Sequence, residues 1–504
     1  MNVVRVVKLF IFLSLCVVTI VFVFKGSSLG LSPVLHGRHQ FSSLIFRDLP
    51  YKIRGLARMR KELKRSSARR REKEVSMFTA DIMKQAEQDV KIRRDQVQRA
   101  CSRLGHGSGQ NPGSGLTLPR ALVSVNKAAV YCPVEKTAST FFRRFVYQLE
   151  HTEPMRSPFE VPVKMIYACH TLFTRVEEVA QSLQTKRETH QRRIDRLRKR
   201  RPKLAKTLAA ELADHMETIE NFLKRSTNFL FVRDPFSRLF SAYVDKLLAP
   251  NPEFWDTWGL FALQKHRSDP GEKSQRCGHD VTFAEFLKFV LDLDLSAPDA
   301  DPHLRPIFEL CRPCDVDYSV IGFMGSFQRD VVYLSSLLNI TESQIEFYKM
   351  ADDTISDALQ DSMMGAFTEW AHRLSKCVAK GEIIRRIWRK LQLRGFISAR
   401  INFSPKMLKE SLEYLEASDF LKVLVKAVEA STNTEELSRQ KLEAMVSAYR
   451  SVDLDTLNRI VHLYAADFRA FGFNERPKFI FDRGGHRDAL NYSRALDFDT
   501  EWNL

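Results

Sequence analysis

The sequence predicts an α/β fold with a central parallel sheet flanked by helices. Two separate stretches, 128–149 and 228–243, each pass from a short apolar run through a loop into a helical repeat. The runs are apolar at nearly every position, which is typical of parallel strands buried on both faces. The 504 residues, 44% of them hydrophobic, suffice for one large domain with appendages.

The N-terminal segment predicts a membrane anchor. Residues 9–24 are almost entirely apolar, with Arg5 and Lys8 before them and Lys25 after them. The positive flank favours a cytoplasmic tail at 1–8 and a type II signal anchor that places the rest of the chain in the secretory lumen. A cleaved signal peptide, which also leads to the lumen, is the alternative.

The formal net charge of +17 implies an anionic partner, such as nucleic acid, a membrane surface or an acidic polysaccharide. Much of this charge lies in two runs, 51–103 and 181–206. The first run belongs to a predicted helical stem, 25–121, that ends in a Gly/Ser-rich linker. A lumenal chain meets no nucleic acid, so we expect no such partner. Both runs are interpreted as solvated helices, and the second has contact with a polyanionic glycan as its alternative.

The first candidate anion site follows the strand predicted at 128–132. Its loop, 133–138, contains Lys136, and a helix follows at 139–149. Three hydroxyls surround the helix start, those of Thr137, Ser139 and Thr140. Free N–H groups at a helix start bind anions. The layout resembles a Walker A loop, without its glycines and its Gly-Lys-Ser/Thr ending.

The second candidate anion site follows the strand predicted at 228–232. Arg233 lies in the turn, Asp234 fits the helix N-cap, and Pro235 fits the first helical turn. Apolar residues then recur at helical spacing and are expected to face the core: Phe236, Leu239, Phe240 and Tyr243. Two strand–loop–helix sites in one chain suggest a ligand with two separated phosphate-like groups.

The two motifs together resemble the cofactor motifs of Golgi carbohydrate sulfotransferases, in the branch of the chondroitin 4-O-sulfotransferases. Residues 233–241 resemble the 3′-phosphate motif, and 136–144 resemble the 5′-phosphosulfate loop. The resemblance implies the sulfuryl donor 3′-phosphoadenosine 5′-phosphosulfate (PAPS), no metal, and a P-loop-like sulfotransferase domain at 122–474. The cofactor-binding residues that it implies are Lys136, Thr137, Ala138, Ser139, Thr140 and Phe141 in the first motif, and Arg233, Asp234, Pro235, Phe236, Ser237, Arg238, Leu239, Phe240 and Ser241 in the second.

The same resemblance assigns roles. Lys136 is predicted to be catalytic, because it would stabilise charge on the leaving phosphate, while Arg233 and Ser241 would hold the 3′-phosphate. His303 is a predicted general base, with a loop histidine of no role as the alternative. At three positions where the family usually has Pro, Gly and Trp, this chain has Glu135, Ala138 and Leu304.

Cys311 and Cys314 form a lone Cys-x-x-Cys pair in a chain of eight cysteines. From the residues alone, this pair could be free thiols or part of a metal site. The resemblance instead implies a structural disulfide bridge in an oxidising lumen. An apolar run at 165–170 predicts a further strand that ends in His170. That histidine is a candidate site residue, with a structural histidine as the alternative.

The remaining segments are assigned by pattern. Helices are predicted at 283–291 and at 454–473, the latter ending at Gly472 and resembling the family's terminal helix. The segments near 181–225 and 352–448 are interpreted as insertions, and 475–504 as an irregular tail. Three Asn-x-Ser/Thr sequons, at Asn339, Asn402 and Asn491, are candidate glycosylation sites.

The expected function is transfer of a sulfuryl group from PAPS to a sugar hydroxyl by a Golgi membrane enzyme whose catalytic domain is lumenal. The resemblance points to the 4-hydroxyl of GalNAc in chondroitin or dermatan, or to a related anionic glycan, as the acceptor. Two alternatives stay open: a non-catalytic glycan-binding paralogue, and a P-loop kinase or NTPase.

Overall fold

The computed structural model describes residues 79–482 apart from 105–117, 119, 151–156, 169–172, 216–218, 342–343, 409–410 and 413. The predicted anchor, most of the predicted stem, His170, Asn491 and the end of the tail lie outside the described residues. Among the helices of the described part, none is long and apolar enough to cross a membrane.

The described residues form one five-stranded sheet in the order β3-β1-β2-β4-β5. Its strands are β1 Leu122–Ser124, β2 Ala129–Tyr131, β3 Thr174–Arg175, β4 Thr227–Val232 and β5 Val320–Phe323. Strands β2, β4 and β5 are parallel, with Val130 opposite Asn228 and Leu230 opposite Ile321. Strand β1 runs antiparallel to both β2 and β3. The predicted parallel sheet is therefore the centre of a mixed sheet.

Helices surround the sheet. In the first half of the domain they are α1 Ala80–Arg103, α2 Ser139–Glu150, α3 Val163–Ala168, α4 Val176–Arg200, α5 Pro202–His215, α6 Ile219–Arg225, α7 Pro235–Tyr243, α8 Pro252–Phe254, α9 Leu260–His266, α10 Glu272–Cys277 and α11 Phe283–Leu291. In the second half they are α12 Ile307–Cys311, α13 Phe327–Leu337, α14 Met350–Phe367, α15 Ala371–Ser375, α16 Lys380–Leu393, α17 Ala417–Ala430, α18 Thr434–Arg450, α19 Leu454–Leu463, α20 Ala465–Phe471 and α21 Lys478–Phe481. Short π-helical turns, Val244–Leu248 and Trp255–Gly259, extend α7 and α8.

The core lies on both faces of the sheet because successive side chains of a strand point to opposite faces. On β4, Phe229 and Phe231 pack with Phe142 of α2 on one face. Leu230 and Val232 join a separate apolar cluster on the other face. Burial on both faces explains why this strand reads as a continuous apolar run.

Two predicted elements differ from the structure. The described part of the 165–170 run is not a strand: residues 163–168 form α3, in which the carbonyl of Pro162 accepts hydrogen bonds from the amides of Met165 and Ile166. A short apolar run does not by itself distinguish a strand from a helix. The predicted 454–473 helix is divided at Tyr464 into α19 and α20, and ends as expected at Gly472, whose φ is +70°.

Helix α1, which falls in the predicted stem, packs on the domain. Val90 and Val97 are buried, and Arg93 donates a 2.6 Å hydrogen bond to the carboxylate of Asp330. A disulfide joins Cys101 to Cys314. This helix is therefore an integral part of the folded unit rather than a solvated spacer.

Both cysteines of the Cys-x-x-Cys pair form disulfides, but not with each other. Cys311 pairs with Cys132, directly after β2, and Cys314 pairs with Cys101. A further disulfide within the described residues joins Cys277 to Cys377. The structural role that the resemblance implied is confirmed, and the bridges connect distant segments to the loops around the sheet.

The two predicted insertions have different surroundings. Helices α4 and α5 pack against each other, and most of their described side chains are exposed, as predicted for a solvated run. Helices α14 to α18, which contain the 352–448 segment, contribute many buried residues, including Trp388 and Tyr449. Tyr449 donates a 2.7 Å hydrogen bond to the carbonyl of Phe236 on α7. This second segment therefore packs directly against the 233–241 motif.

Candidate functional site

A cavity of about 1470 Å³ opens where β2 and β4 end. Ligands of α/β folds bind at the carboxyl ends of parallel strands. Residues from both predicted motifs line this cavity: Lys136, Ala138, Ser139, Thr140, Phe141, Arg233, Asp234, Ser237 and Ser241. His303 lines it as well. The cavity therefore brings together the residues predicted to carry the chemistry.

The loop between β2 and α2 has an unusual backbone. Lys136 has φ of +70° and Ala138 has φ of +61°, in the left-handed region that glycine adopts without strain. Ala138 thus adopts a glycine-like conformation at a position where the family that this loop resembles usually has glycine. Left-handed geometry costs an L-residue about 1–2 kcal/mol, and the surrounding packing compensates for it here.

The three hydroxyls of this loop have partners inside the protein. Thr137 is fully buried and donates a 2.8 Å hydrogen bond to the carbonyl of Val134. Thr140 shares a 2.8 Å hydrogen bond with the hydroxyl of Tyr167. Ser139 donates to the carboxylate of Glu135. Of the three residues, Ser139 and Thr140 line the cavity and Thr137 lies beneath the loop.

Glu135 is a buried carboxylate beside the catalytic candidates. Burial opposes its ionisation, but the charge of Arg143, 3.0 Å away, together with His303 and the Ser139 hydroxyl, outweighs burial and lowers the pKa of Glu135 to about 2. This residue stands where the resembling family has proline. The first motif therefore carries a fixed negative charge as well as the positive charge of Lys136.

The loop between β4 and α7 forms as the sequence predicted. Asp234 caps α7 by accepting a 2.9 Å hydrogen bond from the amide of Ser237, and Pro235 starts the helix. Arg233 donates a 3.2 Å hydrogen bond to the carbonyl of Lys136, so the two motifs are in direct contact. Ser241 lies two turns further along α7, on the side that faces the cavity.

Several predicted cofactor-binding residues of this motif are part of the core instead of the cavity lining. Their side chains are buried: Pro235, Phe236, Leu239 and Phe240. The ring of Phe236 packs against Tyr449 and Phe468. These residues shape the helix that presents Arg233 and Ser241.

Arg238 also points into the interior, with only 1% of its surface exposed. Its guanidinium donates to the carbonyls of Glu135 at 3.1 Å, Pro302 at 2.7 Å and Arg305 at 2.8 Å. The side chain does not line the cavity. Arg238 therefore connects the Lys136 loop to the segment that carries His303, which is a positioning arrangement, and its contact with the cofactor stays a prediction.

Cations collect around Asp245, one helical turn after Ser241. Lys136 forms an ion pair with this carboxylate, and Lys390 and Arg394 approach it at 3.5 and 3.8 Å. Burial disfavours the charged form of Asp245, but these three cations hold its pKa well below the usual value. Burial also lowers the pKa of Lys136 to about 8, with Asp245 opposing the shift.

Among the cavity cations that sequence reasoning missed are Lys390 and Arg394, at and just after the end of α16, and Lys441 on α18. A signal was available for the first two. The apolar stripe of α16, Ile383, Ile387 and Leu391, continues at helical spacing through Lys390 and Arg394. Cations placed on the buried face of a helix indicate an anionic partner.

His303 forms a hydrogen-bonded pair with an aspartate. Its Nδ1 lies 2.8 Å from Asp301, and its ring packs edge-on against Phe254 and Trp258. Burial lowers the pKa of His303, so the ring is neutral at neutral pH, although Asp301 opposes the shift. With Nδ1–H donated to Asp301, Nε2 carries the lone pair, which is the arrangement a general base requires.

Leu304, at the position where the resembling family has tryptophan, is fully buried and does not line the cavity. Its carbonyl accepts a hydrogen bond from the hydroxyl of Tyr464. Aromatic surface in the cavity comes from other residues, among them Phe254 and Trp370.

A model of the sulfotransferase family matches residues 119–392, which is more than half of the chain. The chain belongs to the sulfotransferase family. The match includes both motifs, His303 and Lys390, and it ends before Arg394 and Lys441.

Among the curated relatives, carbohydrate sulfotransferase 12 of Mus musculus is 28% identical over 242 residues, covering 46% of this chain and 50% of the relative. Carbohydrate sulfotransferase 11 of Mus musculus is 25% identical over 255 residues, covering 50% and 62%. Carbohydrate sulfotransferase 14 of Mus musculus is 37% identical over 113 residues, covering 22% and 28%. The chain thus spans about half the length of the relatives that it matches. No solved structure matches it.

Proposed function

We propose that the protein transfers the sulfuryl group of PAPS to a hydroxyl of a carbohydrate. The observation that carries the proposal is the contact between the two motifs, in which Arg233 donates to the carbonyl of Lys136 beside a single cavity. A nucleotide with phosphates at both ends of its ribose needs two anion sites within one cavity. The hydrogen-bond donors that line the cavity are cationic groups and hydroxyls, which suit phosphate and sulfate oxygens.

In this proposal the residues of the chain have separate tasks. Arg233 and Ser241 hold the 3′-phosphate, and the Lys136 loop binds the 5′ side. His303 accepts the proton of the sugar hydroxyl as the sugar oxygen bonds to sulfur. Lys136 stabilises the charge left on the phosphate as the bond between sulfur and the phosphate oxygen breaks. PAPS supplies the sulfuryl group and leaves as adenosine 3′,5′-bisphosphate (PAP).

An anionic acceptor is favoured by the second set of cations. Arg120, Arg143 and Arg175 line the cavity together with His303. Guanidinium forks bind carboxylate and sulfate groups bidentately. The exposed basic helix α4 offers further positive surface. We propose the 4-hydroxyl of GalNAc in chondroitin or dermatan, or a related glycan, as the target, as in the branch that the motifs resemble.

We also propose that the enzyme is a type II protein of the Golgi membrane with its catalytic domain in the lumen. The disulfides between Cys101 and Cys314 and between Cys132 and Cys311 support an oxidising compartment. Protease protection of the chain in sealed Golgi vesicles tests this topology. Digestion of the catalytic domain without detergent would contradict it.

Purified full-length chain with radiolabelled PAPS and a panel of desulfated glycans tests the activity. We expect label in a GalNAc-containing glycan and none with Lys136→Ala or Arg233→Ala. Lys422→Ala, which removes an exposed lysine of α17 outside the cavity, is a control that should retain turnover. Unchanged turnover in the Lys136 and Arg233 variants would reject the proposed roles.

A non-catalytic glycan-binding paralogue is the second candidate, and Glu135 favours it. This carboxylate engages Ser139 and adds negative charge beside Lys136. Such a protein would bind glycosaminoglycan and transfer no label to any acceptor. A P-loop kinase or NTPase would instead bind ATP in preference to PAP, so a nucleotide competition assay separates that class.

A further inference from the structure

Three cations lie together at the Arg233 side of the cavity. Arg233, Arg394 and Lys441 all line it; the charge of Arg394 lowers the pKa of Arg233, and the charges of Arg233 and Arg394 add to burial in lowering the pKa of Lys441. Burial and Arg394 lower the pKa of Arg233 to about 10. Like charges gathered in a partly desolvated site repel each other unless an anion lies between them.

Carboxylates near this cluster are already engaged. Asp245 forms its ion pair with Lys136 and is shared with Lys390, and it reaches Arg394 only at 3.8 Å. Asp234 caps α7 through the amide of Ser237. Among the described residues, no carboxylate forms an ion pair with Lys441.

The helices that carry these cations are anchored by packing. Lys441 is on α18, which is anchored to α7 by the 2.7 Å hydrogen bond from Tyr449 to Phe236 and by the edge-on packing of their rings. Ser237 of α7 also contacts Met445 of α18 at 3.5 Å. Arg394 follows directly after α16 and precedes Gly395, whose φ of +72° turns the chain.

We propose that Arg394 and Lys441 join Arg233 in a clamp for the phosphate of the donor that is remote from the sulfuryl group. This inference rests on the proposed function and extends it, because both residues lie beyond the family match at 119–392. The C-terminal helices would thereby make the enzyme selective for nucleotides that carry a 3′-phosphate.

The test compares the binding of PAP and of AMP, which lacks the 3′-phosphate, to the full-length chain by isothermal titration calorimetry. Lys441→Met removes one charge and keeps most of the side-chain length. A hydrogen bond to a charged group is worth about 1.5–3 kcal/mol, so we expect the affinity for PAP to fall roughly tenfold to hundredfold while that for AMP stays unchanged. Arg394→Met should act in the same direction.

Two controls distinguish this effect from damage to the fold. Lys441→Arg keeps the charge and should retain most of the preference for PAP. Lys422→Met removes an exposed lysine of α17 outside the cavity and should change neither affinity. Because AMP binding reports the rest of the site, a misfolded variant would lose both ligands.

The outcomes separate the clamp from the proposed function. If the unsubstituted protein prefers PAP and the Lys441→Met and Arg394→Met variants keep that preference in full, the clamp is wrong and the proposed function stands. If the unsubstituted protein binds PAP no better than AMP, both are overturned. Loss of the preference in both neutral variants, with its retention in Lys441→Arg, supports the clamp.

Discussion

Replacing Arg238 with methionine tests whether this residue binds the cofactor or positions the loops around the cavity. The resemblance assigns this residue to the cofactor, whereas its guanidinium donates to the carbonyls of Glu135, Pro302 and Arg305 at 2.7–3.1 Å. Methionine fills a similar volume and removes all three donors. The Lys136 loop and the His303 segment would then lose the side chain that joins them.

The structure sets the size of the expected effect. A hydrogen bond from a charged donor contributes about 1.5–3 kcal/mol, and the three carbonyls lie around a side chain that is only 1% exposed. The desolvation that lowers the pKa of Arg238 offsets part of this contribution. We therefore expect the free energy of unfolding to fall by about 3–5 kcal/mol, and kcat to fall roughly hundredfold, because a displacement of about 1 Å in a catalytic group has that effect.

Urea denaturation, steady-state kinetics and calorimetry with PAP measure these quantities. Arg233→Met is the matched comparison, since its guanidinium faces the cavity and donates to the Lys136 carbonyl. We expect that variant to lose more affinity for PAP and less stability than Arg238→Met. The positioning role is refuted if Arg238→Met keeps its stability and loses affinity for PAP as strongly as Arg233→Met.

Further outcomes follow from the site. Burial lowers the pKa of Lys136 to about 8 although Asp245 opposes the shift, so kcat/KM should fall above about pH 8. Asp245→Asn removes the charge that raises the pKa of Lys136 and should therefore move this fall to lower pH. A pH profile that does not move would contradict the prediction. Ala138→Gly should raise the free energy of unfolding by at most about 1 kcal/mol, because glycine adopts the positive φ of this position without strain. Ala128→Gly is the control at a positive φ outside the cavity. A loss of stability in Ala138→Gly alone would contradict this prediction. Arg193→Glu on exposed α4 should lower the salt concentration for elution from heparin without changing PAP binding. The enzyme should keep its turnover in the presence of EDTA, and a loss of turnover there would show that it requires a metal ion.

The motif loops could be predicted from the sequence because local rules determine them. Asp234 and Pro235 are strong N-cap and first-turn residues, and the unbroken apolar run that includes Phe229 and Leu230 is typical of a strand buried on both faces. The pattern at 283–291 likewise predicted α11 at its observed bounds, and in the structure a capping box formed by Thr282 and Glu285 starts this helix.

Tertiary packing determined what the sequence reasoning missed. The inward direction of Arg238 depends on the carbonyls of the 302–305 segment, which is distant in sequence. Helix α1 was interpreted as part of a stem because charged residues dominate its sequence. Its few buried apolar residues, such as Val90 and Val97, make the contacts with the domain. Lys441 gives no local signal of its role, because its neighbours Arg233 and Arg394 come from other elements.

A crystal structure of the full-length chain with adenosine 3′,5′-bisphosphate tests the central claim most directly. We expect one nucleotide in the cavity, with its 5′-phosphate on the Lys136 loop and its 3′-phosphate on Arg233 and Ser241. A nucleotide that touched only one of the two loops, or that bound outside this cavity, would contradict the account.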